Sequence, residues 1–382
     1  MVRILHVIKF YAPWIGGVEK VAQNIAEGVQ TSPDMYSEVL ACNHRGTSTI
    51  SNLNGVRVNR IASLGTLLSM PISASFPSRL AAIAPQFDII HVHTPFPLAF
   101  FCDWKALKAR GPRLVVHYHS DIVRTLQRAV ISALASFETR FMEAADRILV
   151  TSDGLVENSS TLVPFREKCR VVPPFIDLDK VEKLTAQAIS STRLRYGLAD
   201  NDDVVLFVGR LVPYKGVKFL IEAAHSLEAK VLIVGEGPLR PILQKQIEAL
   251  GLQGRVKLLG SVSRAELSEL YSLANLFVLP SILPTEAFGV VQLEAMAHGL
   301  PVVNTDLPSG VPSVSLHGVT GLTVPPRDAA GLRDAIVAIL SDASLRNQFA
   351  TNARVRVHLF SSTAVLDKIM SLYRELVSGR DL

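Results

Sequence analysis

The chain reads as an α/β protein of two doubly wound domains with parallel sheets. Short Val/Ile/Leu runs alternate along it with longer stretches of helical periodicity, the pattern of repeated strand–helix units. The alternation starts afresh after Pro173-Pro174, a pair that ends both helix and sheet ladder. A length of 382 residues exceeds one ordinary core and suits two domains.

In the first half, Arg3–Ile8 reads as a strand, Val18–Val29 as a helix, and Ile89–Val92 and Leu114–His117 as strands separated by a helix over Leu98–Ala109. A helix over Arg124–Ala144 and a strand over Arg147–Val150 follow. These unbroken apolar runs suit strands covered on both faces. The stretch Leu178–Tyr196 reads as a helical connector. In the second half, Val204–Val208, Val231–Val234, Val256–Leu259, Leu276–Leu279 and Pro301–Val303 read as strands. Helices fall between them near Val217–Leu227, Leu239–Leu250, Ala265–Leu273 and Gly289–Ala297. The expected division is an N-terminal domain over residues 1–177, a C-terminal domain over 178–360, and a last helix over 361–382 that packs back on the first domain. Two such sheets facing each other would bring their carboxyl ends to a shared cleft, where ligands of doubly wound sheets bind.

Composition narrows the function. With 48% hydrophobic and 19% charged residues the chain is globular rather than disordered. No apolar run approaches the roughly 20 residues of a membrane span. An early Arg3 before an apolar run raises a leader peptide, but His6 and Lys9 interrupt it and no small-x-small cleavage site follows, which favours a first strand. Cys42, Cys102 and Cys169 are odd in number and have no metal-ligand spacing, so a reducing compartment is expected. The net charge of +5, most of it in the first 177 residues, is an ordinary solvated surface that would also suit an anionic membrane or a phosphorylated acceptor. No basic cluster interleaved with aromatics points to nucleic acid.

The chemistry concentrates at strand-to-helix loops. In Pro280-Ser-Ile-Leu-Pro-Thr-Glu286-Ala-Phe-Gly-Val-Val-Gln-Leu-Glu294 a strand ends and a helix is expected from Phe288 or Gly289, offering unpaired amides to phosphate or sugar oxygens. Glu286 would lie at the loop tip and Glu294 about 7 Å further along the helix axis, so the two carboxylates could serve sugar and ribose. A helix-capping acid and a solvent-facing Glu would account for the same pair more plainly. Val208-Gly209-Arg210 through Lys215-Gly216 repeats the arrangement with two cations suited to a diphosphate, or to surface salt bridges. Gly16-Gly17-Val-Glu19 joins strand to helix, either as a close backbone approach to an anion or as a tight turn. In His91-Val-His93 and His117-Tyr-His119-Ser-Asp121 one histidine of each pair is expected to turn away, leaving His91 and His117 in the core and His93 and His119 toward the cleft. A His/His/Asp metal site is conceivable there, and nothing in the spacing demands it. Gly235-Glu-Gly-Pro-Leu-Arg240 opens like a dinucleotide fingerprint, but Arg240 replaces its third glycine and the preceding strand is second in its domain, so it is read as a false match.

These motifs together resemble glycosyltransferase family 4, of GT-B fold, over almost the whole chain. The most specific element is Glu286 and Glu294, with seven residues between them, within Thr-Glu-Ala-Phe-Gly-Val-Val-Gln-Leu-Glu-Ala-Met. Residues 302–325 and Tyr118-His-Ser-Asp-Ile-Val-Arg124 resemble a narrower group, the mannosyl- and rhamnosyltransferases of bacterial O-polysaccharide synthesis. The resemblance implies that Gly16 and Gly17 contact the donor phosphate or acceptor through backbone amides. Arg210 and Lys215 would hold the diphosphate, and Glu286 the donor sugar with the backbone of Ala287, Phe288, Gly289 and Val290. Glu294 would bind the ribose, while Gly235 and Leu259 would flank the base. His119 would contact the transferred sugar, and His93 and Asp121 would lie near the acceptor. The usual Pro-Asn-Gly-Ile-Asp linker is Pro174-Phe175-Ile-Asp177 here, and the usual Ser-Pro-Asn is Ser152-Asp153-Gly154.

The implied enzyme is a retaining hexosyltransferase using a nucleotide sugar, GDP-mannose before GDP-rhamnose, with no metal and no other cofactor. Its acceptor would be a lipid-linked saccharide of O-antigen synthesis. It would work in the cytoplasm, peripherally at the inner membrane's cytoplasmic face, where the apolar segment Leu64–Phe76 would touch the bilayer or fold inward as a buried loop. The alternatives are a UDP-sugar-dependent member of the family, a GT-B sugar-nucleotide epimerase, and an inactive subunit of a transferase complex. The epimerase needs a second acid/base set that the chain lacks. The inactive subunit would not need Arg210, Lys215, Glu286 and Glu294 together.

Overall fold

The computed structural model describes residues 1–382 except 15, 45, 68–69, 121–133, 183 and 380–382. It divides into one unit of Met1–Pro174 with Ser362–Leu382 and another of Phe175–Ser361.

In the first unit the strands are β1 (Val2–Ile8), β2 (Met35–Cys42), β3 (Thr49–Leu53), β4 (Val56–Ile61), the short hairpin β5 (Thr66–Leu67) and β6 (Met70–Pro71), β7 (Ile89–Thr94), β8 (Arg113–Tyr118), β9 (Arg147–Val150) and β10 (Cys169–Val171). Among the described residues eight of them form one sheet in the order β10-β9-β8-β7-β1-β2-β4-β3, parallel except for the β3–β4 edge. Chain order reverses between β1 and β7, which opens a crevice at their carboxyl ends. The interior strands β1, β7 and β8 are buried along most of their length, as expected of a sheet covered on both faces, and their Val, Ile and Leu runs are interrupted by buried His6, His91, His93 and His117.

Four strands of this sheet, β2, β3, β4 and β10, are additional to those expected, as is the β5–β6 hairpin. Buried Ser37 and Glu38 interrupt the apolar run of β2, and Glu38 is tolerated because buried Asn59 on β4 donates to its carboxylate. β3 is an exposed antiparallel edge strand without an apolar face. The helix expected over Leu98–Ala109 is two pieces, a 3-10 turn over Pro97–Phe101 and a helix over Trp104–Lys108. The break falls at Asp103, whose carboxylate accepts from the Ala106 amide at 3.0 Å and caps the second piece. Of the helix expected over Arg124–Ala144, Ala135–Ala144 is helical and residues 124–133 lie outside the described residues.

The helix Ser362–Ser378 belongs to this unit. Val365, Ile369, Leu372, Tyr373 and Leu376 form its buried stripe at helical spacing. Leu366 packs so closely on Gly28 that a Cβ there would sit 2.4 Å from its Cδ1. Arg374 makes a two-pronged contact with Asp34, at 2.9 and 3.1 Å, and Tyr373 Oη meets His91 Nδ1 in the core at 2.5 Å.

The second unit holds β11 (Val204–Val208), β12 (Lys230–Val234), β13 (Val256–Gly260), β14 (Leu276–Leu279), β15 (Val302–Thr305) and β16 (Gly321–Val324), all parallel. Their order, β13-β12-β11-β14-β15-β16, is the dinucleotide-fold order 3-2-1-4-5-6, with its reversal between β11 and β14. The connector expected over Leu178–Tyr196 is a 3-10 turn at Leu178–Lys180 and a helix over Ala186–Arg195. The helix expected from Gly289 begins at Val291, because Gly289 adopts φ +71°, which no helix accommodates. Glu294 therefore sits in the first turn of a seven-residue helix rather than well inside a longer one.

Tyr373→Phe is expected to lower the urea midpoint of the first unit and to cost about 1–2 kcal/mol, since it strips the partner from a fully buried imidazole nitrogen. An unchanged midpoint would show that this contact does not anchor the last helix.

Candidate functional site

At the reversal point of the second unit, the loops after β11 and β14 converge. Gly216 follows the 3-10 turn Pro213–Lys215 at φ +66°, and a Cβ on it would lie 1.9 Å from the Pro280 carbonyl oxygen. The Ile282 amide donates to the Tyr214 carbonyl at 2.8 Å, which ties the two loops together. Lys215 Nζ is thereby held 2.5 Å from Glu286 Oε2, with both side chains about 10% exposed. Ser281 Oγ, fully buried, donates to the same oxygen at 2.9 Å. Removing one member of so buried an ion pair leaves an uncompensated charge, a loss on the order of 3–5 kcal/mol.

Beyond Glu286, the amides of Ala287, Phe288, Gly289 and Val290 have no acceptor among the described residues. Their backbone is rigid all the same. The Phe288 carbonyl accepts from Gln292 Nε2 at 3.1 Å, Gln292 Oε1 accepts from buried Asn304 at 2.9 Å, and the Ala287 carbonyl accepts from the Gly310 amide at 2.8 Å. Four fixed donors beside a lysine make a setting for anionic or hydroxyl oxygens. Arg210, one residue past the Gly209 turn, is exposed and forms no ion pair among the described residues.

Gly235 and Gly237 are glycines because the β12 loop runs against the β11 loop. A Cβ on Gly235 would lie 2.0 Å from the Gly209 oxygen, and one on Gly237 2.4 Å from the Leu211 oxygen. Arg240, where a third fingerprint glycine would stand, instead pairs with Glu236 at 3.1 Å and donates to the Leu258 carbonyl at 3.1 Å. The Gly235 amide donates to the Gly260 carbonyl, which brings the end of β13, with half-buried Leu259, alongside. Glu294 accepts from Tyr271 Oη at 2.9 Å, and burial raises its carboxyl pKa against the opposing pull of that hydrogen bond. Ser281 and Tyr271 are partners that the motif reading passes over. A hydroxyl five residues before Glu286 was the available signal for Ser281, while Tyr271 reaches its place only through the fold.

In the first unit, Gly16 caps the helix Gly17–Gln30 in extended conformation, and a Cβ on it would meet Glu19 Oε2 at 2.0 Å. Around Gly17 a Cβ would touch nothing within 4 Å, so the helix start there is open. Buried Glu19 lies 3.7 Å from Lys9. Asp121 lies outside the described residues.

The histidines depart from the expectation. Positions two apart on a strand share a face, so His91 and His93 lie together, as do His117 and His119, and all four are buried. His6 on β1 joins them. His6 Nδ1 is 3.3 Å from His93 Nε2, and His93 Nδ1 is 3.2 Å from His119 Nε2. Both ring nitrogens of His93 are thus occupied by other histidines, which leaves none for an acceptor. His91 stacks on His93 at 4.4 Å and His117 on His119 at 4.1 Å. Two triads, His6/His91/His93 and His93/His117/His119, each bring one nitrogen per ring within 4.8 Å of the others. Stacked rings hold their in-plane lone pairs in nearly parallel planes, which is poor geometry for converging on one ion.

Comparison with known proteins agrees across the whole chain. The model of Glycosyltransferase Family 4 matches residues 15–180, and that of Glycosyl transferases group 1 matches 190–356. The D-rhamnosyltransferase WbpZ of Pseudomonas aeruginosa is 31% identical over 355 residues, covering 93% of this chain and 91% of that protein. The O-antigen chain mannosyltransferase C of Escherichia coli is 29% identical over 381 residues, covering 99% and 100%. Among solved structures, Anabaena HepE in complex with UDP superposes with a TM-score of 0.78 at 23% identity, over 98% of this chain and 100% of that one, a likeness of fold.

Gly216→Ala is expected to be damaging, because φ +66° and a 1.9 Å approach to the Pro280 oxygen leave no room for a methyl group. Thermal unfolding should show a clear loss of stability, on the order of 1–3 kcal/mol. Stability equal to wild type would mean that the two loops are not locked together at this point.

Proposed function

Because the chain belongs to glycosyltransferase family 4 and is a hexosyltransferase of GT-B fold, we propose that it is a retaining enzyme that moves mannose from GDP-mannose to a lipid-linked saccharide in O-antigen synthesis. The carrying observation is the buried Lys215–Glu286 pair beside the four unbonded amides of residues 287–290, at the point where the strand order of the second sheet reverses. The mannosyl and rhamnosyl relatives support the sugar and the pathway.

A nucleoside diphosphate leaves in this reaction, so catalysis consists of binding phosphate charge and placing the acceptor. Lys215, held by Glu286, and exposed Arg210 supply positive charge for the diphosphate without a divalent ion, and Gly16 and Gly17 offer backbone donors. Glu286 and the amides after it hold sugar hydroxyls. Glu294 accepts from the ribose, and the loops at Gly235 and Leu259 flank the base. His119 contacts the transferred sugar, and Asp121, which is outside the described residues, is the residue assigned to the acceptor. The acceptor oxygen bonds to the anomeric carbon on the face from which the phosphate oxygen departs. As the carbon–phosphate oxygen bond breaks, the acceptor proton passes to the leaving phosphate, and configuration is retained.

Among the described residues no helix is long and apolar enough to cross a membrane. A lipid-linked acceptor instead calls for peripheral contact at the cytoplasmic face of the inner membrane. The β5–β6 hairpin suits it: Leu64 is 86%, Leu67 62% and Ile72 45% exposed, while Phe76 anchors the segment in the core. Leu68 lies outside the described residues.

Glu286→Gln, nearly isosteric, and Lys215→Ala are each expected to cut turnover at least about tenfold, the loss that follows when a group aimed at the transition state is removed. A thermal-shift screen of GDP-mannose, GDP-rhamnose, UDP-glucose and UDP-N-acetylglucosamine should show stabilisation by GDP-mannose that weakens in Lys215→Ala. Stabilisation by uridine donors alone would discard the proposed donor, and inversion at the anomeric carbon of the product would discard retention.

A further inference from the structure

The five buried histidines of the first unit are arranged in two layers. His6, His93 and His119 run edge to edge as a hydrogen-bonded chain, with ring planes inclined by 28° and then 15°. His91 and His117 form the second layer, stacked on that chain, with their own centroids 5.5 Å and their planes only 7° apart. The chain crosses the reversal point of the sheet, from β1 through β7 to the residue after β8. Burial lowers the pKa of His6 to about 3 and those of His93 and His119 well below the usual value, with His117 and Lys9 adding to the effect at His119. All three imidazoles are therefore neutral, and each carries one N–H.

A neutral chain of this kind has two polarities, and its inner end chooses between them. His6 Nε2 is buried and has no partner. A buried N–H without an acceptor is costly. Neutral His117 already bears that cost, because neither of its nitrogens is bonded, and the polarity that spares His6 the same cost puts the bare lone pair on His6 Nε2 and the proton on Nδ1. His6 Nδ1–H then donates to His93 Nε2, and His93 Nδ1–H donates to His119 Nε2. The proton of His119 is left on Nδ1, which has no hydrogen-bond partner among the described residues.

We propose that His6 and His93 are positioning residues that lock His119 in its neutral Nδ1–H form and present that N–H to an oxygen of the transferred sugar or its phosphate. The ligand half of this rests on the proposed sugar contact of His119, whereas the tautomer does not. The arrangement gives His93 work that needs no contact with substrate, and it explains why polar side chains occupy the centre of a sheet otherwise filled with Val, Ile and Leu. The stacked His91 and His117 fix the tilt of the chain, and Tyr373 holds His91 from the last helix.

The test is nitrogen-resolved NMR of the full chain labelled with 15N-histidine, with each ring assigned by single substitution. Wild type should show His119 protonated at Nδ1 and bare at Nε2. His93→Phe keeps the ring volume but removes the donor, and should give His119 a mixed tautomer. Its kcat should fall about tenfold with little change in the donor KM, as expected of a misplaced contact. His93→Asn restores an amide donor near the Nδ1 position and should recover both the tautomer and most of kcat. His119 protonated at Nε2 in wild type would overturn the proposal, as would an unchanged tautomer in a folded His93→Phe. Full activity in His119→Ala would instead refute the sugar contact, with the tautomer measurement still deciding the chain's polarity.

Discussion

Both units are governed by a single topological constraint: a parallel sheet wound in two directions must reverse its strand order somewhere. At that place neighbouring crossovers leave toward opposite faces, and the strand ends stay uncovered. In the second unit the reversal falls between β11 and β14, and in the first between β1 and β7. Lys215 and Glu286 stand at the first of these points, and the His6–His93–His119 chain crosses the second. The ordinary core of each sheet gives way to polar side chains where the backbone cannot close over itself.

Polar groups held at such a place must find partners, and the two units do so differently. The second unit pairs opposite charges, Lys215 with Glu286, and adds the Ser281 hydroxyl to the same carboxylate oxygen. The first unit uses neutral rings that hydrogen-bond to one another and stack, with Tyr373 brought in from the far end of the chain. Burial makes Lys215 and Glu286 mutually dependent, since a lone charge in the same place would be costly, whereas the histidine cluster leaves His6 Nε2, His91 Nε2 and both nitrogens of His117 buried without a hydrogen-bond partner. The glycines serve the same end. Gly216, Gly235 and Gly237 allow loops to touch backbone to backbone, and that closeness orients the side chains beside them.

The family motif Glu286–Glu294, the cations Arg210 and Lys215, and the Gly16-Gly17 turn are all readable along the chain because each lies within one loop. Contacts between distant segments are not readable in that way. Ser281 with Glu286 is close in sequence, but Tyr271 with Glu294 and Asn304 with Gln292 depend on which helix lies against which strand. The helix expected from Gly289 starts two residues later because one left-handed residue outweighs the periodicity around it. The histidine faces are a different case. Strand geometry alone places residues two apart on one side, so the grouping of His91 with His93 follows from the strand pattern itself.

From its sequence alone, this protein's fold class, its two-part organisation and the loops that carry charge are determined, because hydrophobic periodicity and turn residues act locally. Strand order was settled only by the tertiary structure, and with it the meeting of the β11 and β14 loops, since parallel strands are joined by crossovers that leave their neighbours unspecified. The same holds for the docking of Ser362–Ser378 against the first unit, where an amphipathic stripe states that a face is buried but not against what. The five-histidine cluster depended on strand order, drawing His6, His91, His93 and His117 from three strands whose adjacency no local signal encodes, and His119 from just past the third.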